Sequence, residues 1–95
     1  MSIAAAPVLL RHWGCIDCLD GLGRAVFTFK LATGGERDQL VMVYMLPRTV
    51  SCDRAVIFDD IGDSVPVTWA SLPYVVRDIA ESVTRDLFPM SVARR

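Results

Sequence analysis

Seven consecutive apolar or aromatic residues, Leu40-Val41-Met42-Val43-Tyr44-Met45-Leu46, sit in the middle of a 95-residue chain. The run is short, rich in Val, Met and Tyr, and bounded by Gly34-Gly35 before it and Pro47 after it, so it reads as a strand rather than a helix. Successive side chains of a strand point to opposite faces, and this strand therefore offers apolar surface to both. An antiparallel sheet with one wet face normally alternates; a strand that does not alternate needs cover on both sides. The remainder of the chain, or a partner, has to provide it.

At this length the chain holds one domain, residues 1–95. Apolar residues make up 53% of it, which is rich for a chain whose surface is large relative to its volume. Ala25 to Ala32 alternates cleanly, with Ala25, Phe27, Phe29 and Leu31 on one side and Val26, Thr28 and Lys30 on the other. The first set reads as core. Val8 to Trp13 reads as an earlier strand, joined to Ala25 through the glycine-containing segment 18–23. Ala55 to Phe58 reads as a further strand after a polar connector, Pro47 to Arg54. Val65 to Val67 reads as an edge piece, because Pro66 cannot donate to a ladder.

One helix is expected near the C-terminus. Thr68 or Ser71 can cap it, Pro73 fits only its first turn, and Phe88-Pro89 ends it. Leu72, Val75, Val76, Ile79, Ala80, Val83 and Leu87 form its apolar stripe, with Ile79 in the middle. The fold class expected is α+β: an antiparallel β-meander of three to five short strands with one C-terminal amphipathic helix packed on one face. Short turns join every neighbouring pair in that arrangement.

Ten Lys+Arg against eleven Asp+Glu leave a net charge of −1. That balance argues against nucleic-acid binding, which rests on a basic surface. The N-terminus lacks the charged n-region of an export signal, and no apolar run approaches the length of a membrane span. Three cysteines, an odd number, fit reduced thiols in a cytoplasm better than a disulfide framework.

His12, Cys15 and Cys18 follow an H-x₂-C-x₂-C spacing, and Cys52 completes a four-ligand zinc set. Inert thiols are the plainer reading of the same cysteines. No Ser/His/Asp set, phosphate loop or EF-hand spacing is present in the sequence. The chain is thus expected to be a non-enzymatic protein–protein interaction module without catalytic residues or cofactor, of the adaptor or inhibitor type, a build common among small proteins of that type, including those encoded by mobile elements. A homodimer is expected. Asp59, Asp60 and Asp63, with Val41, Val43 and Met45, are the expected partner-binding residues. The alternative is a zinc-stabilised module using His12, Cys15, Cys18 and Cys52.

Overall fold

The computed structural model describes residues 9–17, 19–32, 37–59 and 61–87. Strands β1 (Leu9–Asp17), β2 (Ala25–Ala32), β3 (Gln39–Leu46), β4 (Ser51–Phe58) and β5 (Ser64–Pro66) form one antiparallel sheet in sequence order. Helix α1 (Tyr74–Leu87) follows and packs on one face. The α+β meander read from the periodicity is the fold observed.

Two strands are longer than their composition suggests. β1 runs on through Gly14-Cys15-Ile16-Asp17, and β4 begins at Ser51 rather than Ala55. In both, polar or small residues are carried into the ladder by pairing with a strongly patterned neighbour, β2 or β3. β1 bears irregularities at Arg11 and Ile16, and β4 bears one at Asp53.

The turns β1–β2 and β4–β5 are built alike, from Asp20-Gly21-Leu22-Gly23 and from an Asp59…Gly62 segment. Gly23 and Gly62 adopt φ of 77° and 92°, the left-handed region that favours glycine. Their N–H groups donate to the carbonyls of Asp20 and Asp59 at 2.9 and 3.0 Å. Each Asp carboxylate folds back over its own turn: Asp20 Oδ1 accepts the N–H of Leu22 and Arg24 at 2.9 and 2.8 Å, and Asp59 Oδ1 accepts those of Ile61 and Asp63 at 3.1 and 2.8 Å.

These bonds make the first turn sensitive to acid. The Arg24 backbone N–H holds the Asp20 carboxyl below the usual carboxylate range, and the Leu22 N–H and Arg24 guanidinium add to it against the opposing effect of desolvation. A group whose folded pKa is depressed contributes stability above its unfolded pKa and loses it as pH falls through the folded value. Melting temperatures should therefore drop on acidification below about pH 4, where unfolded Asp titrates. Asp20→Asn should flatten part of that slope, and an unaltered slope would mean the turn does not couple to folding.

Helix α1 begins after Pro73, whose carbonyl accepts the N–H of Val76 and Arg77 at 3.0 and 3.2 Å. Thr68 and Ser71 do not cap it. They bracket a 3₁₀ turn, Trp69–Ser71, in which the Ser71 hydroxyl donates to the Thr68 carbonyl at 2.7 Å. The line of deepest burial is Leu72, Val76, Ala80 and Thr84, with Val75, Ile79 and Val83 flanking it half-buried. Ile79 is thus a flank of the stripe rather than its centre, and Val76 and Ala80, both small, let the helix approach the sheet. Thr84 follows Ala80 inward by helical period, and its buried hydroxyl has no hydrogen-bond partner.

Beneath the helix lie Ala25, Phe27, Phe29 and Leu31 from β2, Val41, Val43 and Met45 from β3, and Ala55 from β4. Phe27 and Phe29 stack with ring centroids 6.3 Å apart, and Trp13 tilts against Phe27 at 6.4 Å. Val41, Val43 and Met45, expected to bind a partner, are fully buried core residues. The correction has a simple cause: β3 is apolar on both faces, so its composition does not say which face the helix takes. Among the described residues no helix is long and apolar enough to cross a membrane.

Candidate functional site

The ladder registers define the face that α1 leaves open. Three rows cross it: His12–Lys30–Leu40–Phe58–Ser64, then Gly14–Thr28–Met42–Val56–Pro66, then Asp17–Val26–Tyr44–Arg54. Read by strand instead of by row, the face divides in two. The β1–β2 half carries His12, Lys30 and Asp17 around Gly14 and Thr28. The β3–β5 half carries Leu40, Met42, Val56, Phe58 and Pro66, with Ser64 at one end and Tyr44 and Arg54 at the other. Leu40 is 39% exposed, whereas Met42 and Phe58 are half-buried and Val56 is 2% exposed in the middle of the sheet.

One end of this face is closed by a charged cluster. The Arg24 guanidinium lies over the Tyr44 ring, 4.4 Å from its centroid, while Arg54 stands 5.9 Å from the same centroid. Arg24 also bonds Asp20 Oδ2 at 2.9 Å and Asp53 Oδ2 at 3.0 Å. Asp53 is the extra residue of the β4 irregularity, and such bulges re-aim side chains. Its carboxylate and that of Asp20 hold the Arg24 pKa above its ordinary value. Val26, paired with Tyr44 beside this cluster, is 4% exposed although no helix lies on this side.

At the opposite end, a cavity of about 510 Å³ is lined by Arg37, Asp38, Gln39, Leu40, Ile57, Phe58, Asp59 and Gly62. Two of its carboxylates are engaged. Asp38 accepts Arg11 Nε at 3.1 Å, and Asp59 bonds its own turn amides.

Among the described residues His12, Cys15 and Cys52 are not brought together as a zinc site. His12 faces the open side opposite Lys30, whereas Cys15 faces the helix side opposite Phe27. Cys52 lies on β4, three strands from β1, which at about 4.8 Å per strand is roughly 14 Å and far beyond a shared ion. Cys18 lies outside the described residues, and among those described no group of three or more His, Cys, Asp or Glu could hold a metal. A sequence spacing of three places strand residues on opposite faces, so H-x₂-C loses its meaning once the segment is a strand. Burial pushes the Cys52 thiol pKa up, which disfavours the thiolate.

Of the acidic candidates, Asp59 organises its turn, Asp63 is exposed, and Asp60 lies outside the described residues. The Arg24–Tyr44 cluster was not foreseen. Its turn half was legible as the Asp-x-x-Gly spacing shared by segments 20–23 and 59–62. No protein-family model matches the chain, and no curated protein or solved structure matches it.

Proposed function

We propose that the chain is a non-enzymatic protein–protein interaction module of adaptor or inhibitor type, that it forms a homodimer, and that the helix-free sheet face is its contact surface. One observation carries the reading. The helix closes one side of a sheet whose central strand is apolar on both sides, and Leu40, Met42 and Phe58 remain on the other. Apolar surface rimmed by polar groups marks interaction sites in soluble proteins. The divided ligand set described above gives a zinc-stabilised module no comparable support.

Light scattering at micromolar concentration tests it and should return about twice the 10.5 kDa chain mass. Met42→Glu, on the open face, should shift the mass toward that of one chain while leaving the circular dichroism spectrum unchanged. A wild-type chain that stays monomeric at high concentration overturns the homodimer.

A further inference from the structure

We infer that two copies of this chain pack their helix-free faces together about a two-fold axis that runs across the strands along the row Gly14–Thr28–Met42–Val56–Pro66. The inference rests on the homodimer reading and adds its geometry.

The arrangement follows from how the face is patterned. A two-fold axis lying between two stacked sheets and perpendicular to their strands keeps each strand over its own copy and reverses its direction. β3–β5 then lie on β3–β5, so the apolar half meets the apolar half. The row on the axis contains no charged residue, so Met42 and Thr28 meet their own equivalents without like-charge repulsion, while Val56, 2% exposed, is already covered within its own chain. Reversal also exchanges the two outer rows. Leu40 comes over the partner's Tyr44 with the Arg24 that lies on its ring, and Phe58 over the partner's Arg54, a juxtaposition open to a cation–π contact.

Charge complementarity distinguishes this axis from one parallel to the strands. On the polar half the cation Lys30, with His12 beside it, occupies one end, and Asp17 occupies the other. Within one chain they are four strand residues apart, roughly 13 Å, too far to pair. Reversing the strands sets Asp17 of each copy opposite the partner's His12 and one strand, about 4.8 Å, to the side of the partner's Lys30, within reach of that long side chain, twice per dimer, while Lys30 itself lies over the partner's Val26. An axis along the strands would place the apolar half on the polar half and leave Lys30 over the partner's Phe58. Aligned sandwiches rotate by about 30° from this ideal, which long side chains accommodate.

The area is adequate. Four strands of about eight residues and the three-residue β5, at about 4.8 Å per strand and about 3.4 Å per residue, give a face of about 570 Å² per copy. Doubled, that is about 1,140 Å², above the roughly 1,000 Å² that a specific interface should clear.

Sedimentation velocity on charge-swapped chains tests the geometry. Asp17→Lys and Lys30→Asp should each weaken dimerisation about tenfold at low salt, because each puts two like-charge pairs at the rim, and the effect should shrink as salt rises. The double variant should restore wild-type affinity. Since the two positions do not touch within a chain, restoration reports contact between copies; melting curves confirm that each variant folds. A wild-type dimer indifferent to the single swaps, or not rescued by the double, overturns this packing and leaves the homodimer standing. A monomeric wild type overturns both.

Discussion

Phe27→Ala should leave the protein largely unfolded at physiological temperature. Phe27 is fully buried at the centre of the helix-covered face, against Phe29 and Trp13, with Cys15 and Val43 opposite it on the flanking strands. Truncating a buried Phe typically costs about 3–5 kcal/mol, because transfer free energy is lost and the surrounding side chains only partly collapse into the space. A domain has roughly 5–15 kcal/mol in all, and a chain this short sits toward the lower end. At about 4–8 °C per kcal/mol for a domain of this size, the melting temperature should fall by at least about 12 °C. A drop below about 4 °C would mean that the helix does not close over this ring.

Where the sequence carried a period, it carried the fold. The alternation of β2 assigned Phe27 and Phe29 to the core, and the 3.6-residue period of Val76 and Ala80 assigned the helix its inner face. Patterned residues specify a face because only one phase buries them. β3 carries no phase, so it fixed the need for two covered faces without saying which residues meet the helix. Once β2 is known to be its neighbour, pairing resolves the ambiguity: Val41 and Val43 stand opposite Phe29 and Phe27, and share their side. The separation of His12 from Cys15 has the complementary reason. A spacing such as H-x₂-C takes its meaning from local conformation, and β1 extends through it as a strand because β2 pairs along its whole length. The Arg24–Tyr44 cluster joins a turn, a strand and a bulge that are distant in sequence, with Asp53 29 residues from Arg24. No local pattern contains it.

Val43 and Met42 are neighbours on β3 with opposite surroundings, and the same substitution should fail at one and be tolerated at the other. Val43 is fully buried beneath the helix, opposite Phe27 and Ala55. A glutamate there must stay ionised without a partner or take up a proton at a strongly raised pKa, and either cost is of the size that unfolds a small domain, about 4 kcal/mol or more. Val43→Glu should therefore abolish the cooperative melt and the native dichroism. Met42 is half-buried on the open face, where a carboxylate can reach water in the single chain. Met42→Glu should keep the melt within a few degrees and change only the mass. The pair separates two ways in which a substitution can reduce the dimer: by removing the fold that presents the face, or by altering the face itself. Should both variants unfold, the open face would be as closed as the helix-covered one, and the unpartnered surface would not exist. Should Val43→Glu melt like the wild type, the helix would not lie on the side where Phe27 and Val43 meet.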